Sequence, residues 1–222
     1  MLGAAALGGA SALPMPVLAQ DGTARRSFTI RGAGMNLGRQ INRVTREGSR
    51  LTSEVEIDID VKLLGVRLYS YRMENREEWV DGELISIEAE TIENQDDRDF
   101  VQARRTSQGL EVNGSKFDGV ITDQIATTTY WTKAFLDRQL WLSTQGGEQY
   151  QVAFGAPTRT TYRTGEGEVE ATRYRVLGDL ELSLYYDLNR EWIGTSFRVQ
   201  GRNVRISADE LSQPLAPLWF TA

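Results

Sequence analysis

The sequence contains no cysteine and no histidine. Their absence excludes disulfides, thiol nucleophiles, Ser-His-Asp and Cys-His catalytic arrangements, thiolate or imidazole zinc sites and histidine-ligated haem. Catalysis would have to use carboxylates, tyrosine, lysine, serine or threonine, and no motif in the chain arranges these groups into a recognisable reaction. We therefore predict no metal site and no cofactor, and we name no catalytic residue.

Lysine is scarce as well. The chain has 31 acidic and 25 basic residues, which gives a formal net charge of −6, and its lysines are Lys62, Lys116 and Lys133. The remaining positive charge is arginine, which does not cluster along the sequence. A surface that binds nucleic acid by releasing counterions needs concentrated positive charge, so we expect no nucleic-acid partner.

Extended helical periodicity is rare, whereas glycine is frequent, with 21 glycines against 5 prolines. The apolar residues fall in short alternating runs, most clearly in SEVEIDIDV, residues 53–61. There the apolar side chains at 55, 57, 59 and 61 alternate with carboxylates at 54, 56, 58 and 60. This period of two predicts a half-buried antiparallel strand.

Similar patterns predict twelve further strands, separated by short connections. The turn dipeptides Asp81-Gly82, Asn113-Gly114, Asp118-Gly119 and Gly146-Gly147 are expected to supply the positive φ values of tight hairpins. The predicted strands are 27–31, 36–46, 66–79, 83–93, 99–106, 109–113, 148–155, 159–164, 168–177, 180–187, 191–199 and 202–207.

So many strands exceed what an open twisted sheet usually tolerates. We therefore predict an all-β fold in which an antiparallel meander closes into a barrel, a half-barrel or a two-layer sandwich, with at most one or two short helices. A helix or a long excursion is expected in residues 122–142. One β domain should cover residues 20–207, followed by a C-terminal tail, 208–222, that is docked by Trp219 and Phe220.

Residues 1–19, MLGAAALGGASALPMPVLA, carry no charge and are typical of a signal peptide. Val17 and Ala19 suit signal peptidase, with cleavage before Gln20. A signal peptide should also open with Lys or Arg, and no charged residue precedes Asp21, so either a basic segment lies upstream or the signal is unusual. A disordered tail is the alternative. We expect a soluble periplasmic or secreted protein without a lipid anchor.

Glycine and carboxylate clusters have simpler explanations than ligand sites. RGAGMNLG, residues 31–38, is neither a GxGxxG motif nor a P-loop and lies between strands, so it predicts a hairpin. The carboxylates of residues 53–61 are spread along a strand, and those of ENQDDRD, residues 93–99, lack a calcium-loop register. We interpret both as solvated faces rather than Ca²⁺ sites. Glu77 and Glu78 are adjacent in a strand and therefore point to opposite faces, which excludes them as a glycosidase pair.

Aromatic residues give the strongest hint of a ligand site. Trp79 lies at a strand end, just before the Asp81-Gly82 turn, while Tyr130 and Trp131 open the irregular excursion. Such side chains combine a flat apolar body with a polar tip, which suits the mouth of a cavity. Packing in the core is the competing interpretation.

Several short motifs occur in an order that resembles a family of secreted bacterial proteins, domain of unknown function 6134. They are W-x-D-G-x-L at 79–84, Y-W at 130–131, a Leu followed by T-x-x-G at 142–147, and Y-Y-D…W-I-G-x-x-F at 185–197. The resemblance runs from about Phe28 to Ile206, with a departure at Gln145-Gly146-Gly147. It implies an exported all-β protein without an established activity.

These observations favour a non-enzymatic binding or envelope-associated module for an apolar or amphiphilic ligand, with Trp79, Tyr130 and Trp131 as candidate ligand-binding residues. One alternative is a carboxylate-dependent hydrolase that acts on an envelope polymer. Another is an outer-membrane barrel, which is disfavoured because arginines at 104, 105, 173 and 175 occupy both faces of their strands and such charges are costly in lipid.

Overall fold

The computed structural model describes residues 21–63 and 66–219. The predicted signal segment and Phe220 lie outside the described residues. The described residues form sixteen strands and two 3-10 helices, at Lys133–Asp137 and Ala216–Leu218. The strands are β1 Gly22–Gly32, β2 Met35–Glu47, β3 Arg50–Leu63, β4 Val66–Val80, β5 Glu83–Glu93, β6 Asp97–Thr106, β7 Gly109–Gly114, β8 Asp118–Ile121, β9 Ile125–Thr127, β10 Leu140–Leu142, β11 Gln149–Phe154, β12 Thr158–Thr164, β13 Gly167–Gly178, β14 Leu182–Asp187, β15 Trp192–Val199 and β16 Arg202–Ala208.

All sixteen strands belong to one sheet, which curls into a roll. The strands at the two ends of the sheet are not hydrogen-bonded to each other, so the roll is not a closed barrel. Strands β1 to β8 form an antiparallel meander, β16 pairs with β1, and the order continues through β15, β14, β13, β11 and β10 to β9. The pair β9–β10 is parallel, and β12 pairs with β13 off the main path. The two ends of the main strand order, among the described residues, are therefore β8 and β9. This confirms the predicted all-β meander, in its half-barrel form.

The interior of the roll is the hydrophobic core. Alternate residues of each strand point inward, and a single cluster of buried side chains joins strands from both halves of the sheet. The β12–β13 hairpin folds over the outer face, where Tyr162 donates hydrogen bonds to the carbonyls of Thr195 and Ile206. Gly194 leaves the space for this ring, because a Cβ there would lie 2.5 Å from it.

The strand registers define two ends of the roll. At the first end lie the β2–β3 turn at residues 48–49 and the β4–β5 turn at 81–82. At the second end lie the tips of three hairpins, β1–β2, β3–β4 and β15–β16. We call these the closed end and the open end, because interior side chains are covered at the first and partly exposed at the second.

The C-terminal segment covers the closed end. Leu215 is fully buried, and the Trp219 ring lies 5.3 Å from the Trp79 ring. A buried ion pair fastens the segment, since Arg26 Nη1 lies 3.0 Å from Glu191 Oε2 and both side chains are at most 5% exposed. Glu191 also accepts the backbone N–H groups of Leu215 and Ala216, each at 2.9 Å.

The excursion expected in residues 122–142 holds the short 3-10 helix Lys133–Asp137 between β9 and β10, as predicted. Two details differ from the sequence-based expectation. The short strands β8, β9 and β10 have too few residues to show a period and were not predicted. Asn113-Gly114 and Asp118-Gly119 do not form separate tight turns, because they end β7 and begin β8 on either side of one loop. Among the described residues, no helix is long and apolar enough to cross a membrane.

Candidate functional site

A layer of buried polar side chains crosses the interior between the two ends. Registers place Asn42 and Asn75 on either side of Val55, and Ser53 directly opposite Glu77. Thr127 at the end of β9 and Thr129 just after that strand hydrogen-bond to Glu77 on this inward face. We call these residues the polar layer, and each is at most 5% exposed; they are Asn42, Ser53, Asn75, Glu77, Thr127 and Thr129.

Glu77 is the ionisable member of the polar layer. Asn75 Nδ2 donates to Oε1 at 3.2 Å, and Trp79 Nε1 donates to Oε2 at 3.0 Å. Burial raises the pKa of Glu77 to about 7, because the hydrogen bonds from Thr127, Trp79, Asn75 and Thr129 offset its desolvation only in part. Among the described residues no cation pairs with it. Its carboxyl therefore gains or loses a proton near neutral pH inside an apolar core.

The polar layer also holds unpaired hydrogen-bonding atoms. Gln40 Nε2 donates to Asn42 Oδ1 at 2.8 Å. Within the described part of the chain, however, Asn42 Nδ2, Ser53 Oγ and Asn75 Oδ1 find no partner. An unpaired buried polar atom costs about 1–3 kcal/mol, so native cores rarely keep several together without a reason. These atoms can bond the polar group of a ligand or an internal water.

Interior side chains become progressively exposed from the polar layer to the open end. On β3, Leu51 and Val55 are buried, whereas Ile57 and Ile59 are partly exposed. The same gradient occurs on β14, β15 and β16. Ile57 to Val61 spans about 13 Å along the strand. The result is an apolar concave surface, whose partly exposed residues are Leu37, Ile57, Ile59, Val61, Tyr71, Leu182, Phe197 and Val204.

Two tyrosines place hydroxyl groups beside this surface. Burial raises the pKa of Tyr71 to about 12, and burial together with the nearby Glu93 carboxylate raises the pKa of Tyr69 to about 12. Both phenols therefore stay neutral across the physiological pH range. The hydroxyl of Tyr71 donates to Met73 Sδ at 3.7 Å, and Tyr69 is hydrogen-bonded to Glu93, so their oxygens remain as acceptors for a ligand at the open end.

The structure brings Trp79 and Trp131 together in the closed end. They are 1% and 0% exposed, and each ring lies 5.3 Å from the ring of Trp219. Phe135 completes the cluster at 5.2 Å from Trp79. Their binding of a ligand stays a prediction, and it would require Trp219 to move.

Tyr130 lies apart from that cluster. Its ring packs at 5.5 Å from Trp141 and at 6.3 Å from Trp192. Its φ of 59° is in the left-handed region, which is unfavourable for a bulky residue. The hydroxyl of Tyr186 donates to the Tyr130 carbonyl at 2.8 Å and helps to hold this conformation.

The outer face carries the carboxylates that the sequence placed there. Glu54 pairs with Arg76 at 2.6 Å, and Asp60 pairs with Lys62 at 2.7 Å and Arg67 at 2.8 Å. No cluster of three or more acidic side chains suited to a metal occurs among the described residues. Surface depressions of about 190 and 410 Å³ lie on this face, and neither is lined by Trp79, Tyr130 or Trp131.

Sequence reasoning missed the polar layer and the open end, although a signal was present. Ser53 occupies the same register as Val55, Ile57 and Ile59, and Glu77 shares its face with Trp79. Polar residues at core positions of an alternating strand mark either a buried network or a site. The open end has no such signal, because alternation shows which face is inside and not which end is covered.

Comparisons with known proteins give a fold and a family. No curated protein matches this chain. A crystal structure of a beta-barrel-like protein of Domain of Unknown Function DUF1849 from Brucella abortus is similar, with a TM-score of 0.54 and 10% sequence identity. The alignment covers 84% of this chain and 94% of that chain, which supports a barrel-like fold. The model of the family Domain of unknown function (DUF6134) matches residues 28–209, and the chain belongs to this family.

Proposed function

We propose that this protein is an exported, non-enzymatic binding module that holds an apolar or amphiphilic molecule in the open end of its rolled sheet. The observation that carries the proposal is the exposure gradient. The same strands bury their interior side chains at the closed end and leave apolar ones partly exposed at the open end. Exposed apolar surface that is concave and contiguous is typical of ligand sites.

The order of side chains along the interior suits an amphiphile. An apolar chain would lie over Ile57, Ile59 and Phe197, and each apolar side chain that it covered would favour binding. The polar end of the molecule would point inward to the unpaired atoms of Asn42 and Ser53, or outward to the tyrosine hydroxyls. In either orientation the polar end of the ligand can form hydrogen bonds with polar atoms of the protein.

Export rests on the sequence of residues 1–19, with its uncharged Ala- and Leu-rich composition and the Val17-Leu18-Ala19 ending. The expected product is a periplasmic protein that begins at Gln20. The intact mass of protein recovered from the periplasm measures this directly. A product that retains residues 1–19 would contradict the localisation.

Ligand binding is tested by titrating the purified protein with N-phenyl-1-naphthylamine, whose fluorescence rises in apolar surroundings. We expect saturable binding that lauric acid displaces. Phe197→Asp places a charge in the open end and should abolish binding. Phe100→Asp is the matched control, because Phe100 is 41% exposed on the outer face and the same change there should leave binding intact.

The same experiment separates the binding module from the hydrolase alternative. Chromogenic ester and glycan substrates should show no turnover above the rate without protein. Turnover that Glu77→Gln abolishes would overturn the non-enzymatic proposal, since Glu77 is the buried carboxyl whose proton exchanges near neutral pH. Equal probe binding by wild type and Phe197→Asp would overturn the ligand site.

A further inference from the structure

Three neighbouring hairpin tips line one side of the open end. They belong to β15–β16, β1–β2 and β3–β4, which follow one another in the sheet. Adjacent tips are therefore about two strand spacings, or about 10 Å, apart. We call them the basic rim, which comprises residues 31–35, 60–63, 66–68 and 198–202.

Large apolar side chains are exposed on all three tips. Met35 is 49% exposed on the first hairpin, Val66 and Leu68 are 63% and 59% exposed on the second, and Val199 is 48% exposed on the third. In the described part of the chain, three other large apolar side chains are exposed, and they are scattered elsewhere. An exposed apolar patch on three adjacent tips indicates contact with a membrane or with another protein.

The charge of the rim is opposite to that of the whole protein. Its tips contain five basic residues and the single acidic residue Asp60, within a chain of net charge −6. Asp60 already binds Lys62 and Arg67, and the hydrogen bonds from these two cations lower its pKa. Arg31 and Arg202 form no ion pair with any described carboxylate.

One strand pair beside the rim places two like charges opposite each other. Arg31 on β1 lies directly opposite Arg205 on β16. Like charges in directly opposed positions destabilise a sheet. Arg205 lies over the Tyr162 ring at 4.3 Å, whereas Arg31 is exposed within the basic rim. An external anion would offset this repulsion.

We propose that the basic rim docks the protein on the surface of an anionic lipid bilayer. The four apolar side chains enter the headgroup region, and the basic side chains around them attract the negative lipid headgroups. Both the apolar and the basic side chains of the rim are needed. Neither four apolar side chains nor a few charges are enough alone to hold a protein on a membrane. The docking rests on the rim and does not require that the open end holds a ligand.

Charge also sets the orientation on the bilayer. Across the same end, the β5–β6 and β13–β14 connections carry Asp96, Asp179 and Glu181, and Asp97 is the first residue of β6. Anionic headgroups repel these loops, so the protein tilts and contacts the bilayer with the three basic tips. The open end then lies beside the membrane surface.

Vesicle sedimentation tests the proposal with the full mature chain. We expect it to sediment with phosphatidylcholine vesicles that contain about 30% phosphatidylglycerol and to stay in solution with pure phosphatidylcholine. Arg198→Gln with Arg202→Gln should lower the partition coefficient about 30-fold, as expected for two lost lipid charge contacts. Val66→Ser with Leu68→Ser should also lower it, and about 0.5 M salt should release the wild type.

The matched controls have the same chemistry away from the rim. Arg159→Gln with Arg163→Gln removes two exposed charges from β12, and Leu188→Ser removes a side chain that is 66% exposed elsewhere. Neither should change binding. Failure of the wild type to bind anionic vesicles, or equal loss in rim and control variants, would overturn the proposal. Rim-dependent self-association on size-exclusion chromatography without vesicle binding would identify a protein interface instead, and would overturn it too.

Discussion

The two ends of this rolled sheet are built from the same strands and differ in what covers them. Leu51 on β3 is fully buried at the closed end. Val66, the first residue of the neighbouring strand β4, is 63% exposed at the open end. The C-terminal segment and the Trp131–Phe135 turn pack over the closed end. At the open end the β10–β11 loop packs against one side of the interior, where Thr144 Oγ1 lies 3.7 Å from Met73 Sδ, while the interior side chains at the ends of β3, β15 and β16 stay partly exposed. The comparison shows that burial in this fold is decided by the covering segments rather than by strand pattern, because the same strands are buried at one end and partly exposed at the other.

Replacing an aromatic residue at each end should give the largest contrast. Trp131→Ala leaves a sealed cavity in the closed end and should lower the free energy of unfolding by about 3–5 kcal/mol. Phe197→Ala removes a partly exposed ring and should cost about 1–2 kcal/mol, because no sealed cavity forms. Urea unfolding followed by circular dichroism measures both. Equal losses would contradict the distinction between the ends.

The buried ion pair that fastens the C-terminal segment should give an effect of similar size. Arg26→Met leaves Glu191 buried without its cation and should destabilise the protein by about 3–5 kcal/mol. Arg25→Met is the control, because Arg25 is exposed on the opposite face and its loss should change stability by less than about 0.5 kcal/mol. If both variants melt at the wild-type temperature, the ion pair does not hold the closed end.

Glu77 should make stability depend on pH. Its pKa is 4.5 in the unfolded chain and about 7 in the folded protein, so the folded state binds more protons between these values. The free energy of unfolding should therefore fall as pH rises from about 4.5 to about 7, by about 3 kcal/mol in total.

Two variants isolate this effect in the same unfolding experiment. Glu77→Gln should remove the fall and stabilise the protein at alkaline pH relative to wild type. Glu78→Gln, whose carboxylate pairs with Arg50 on the outer face, should leave the fall in place. If the free energy of unfolding of the wild type does not fall over this pH range, burial does not raise the pKa of Glu77.

The outer ion pairs should give the smallest effect. Arg76 lies 2.6 Å from Glu54, but the two side chains are 49% and 36% exposed. Arg76→Gln should therefore change stability by less than about 1 kcal/mol, and less still at high salt. If Arg76→Gln lowers the free energy of unfolding as much as Arg26→Met does, the exposed ion pairs contribute more to stability than their screening by water allows.

Strand positions were predictable because most strands here are long and alternate regularly. The prediction 66–79 differs by one residue from β4, and 83–93 is β5 itself. Strands of three or four residues, β8 to β10, carry no period and were missed. Their positions depend on contacts with distant strands, as in the parallel pairing of β9 with β10.

The sites were less predictable than the strands, because they depend on which distant segments meet. Arg31, Lys62 and Arg198 are separated by up to 167 positions, and only the pairing of β16 with β1 brings their hairpins together. For this reason the basic residues look scattered along the sequence. Trp79, Tyr130 and Trp131 were predicted together as candidate ligand-binding residues, but the contact that Trp79 and Trp131 share with Trp219 depends on the docking of the C-terminal segment.

The central claim is that an apolar chain lies in the open end, and quenching by 12-bromododecanoic acid tests its location. Phe197→Trp adds an indole inside the open end, and Phe100→Trp adds one on the outer face as the control. Bromine quenches indoles only at close range, so the account predicts saturable loss of the emission added at position 197, with the emission added at position 100 unchanged. Equal quenching at both positions, or none at either, would contradict it.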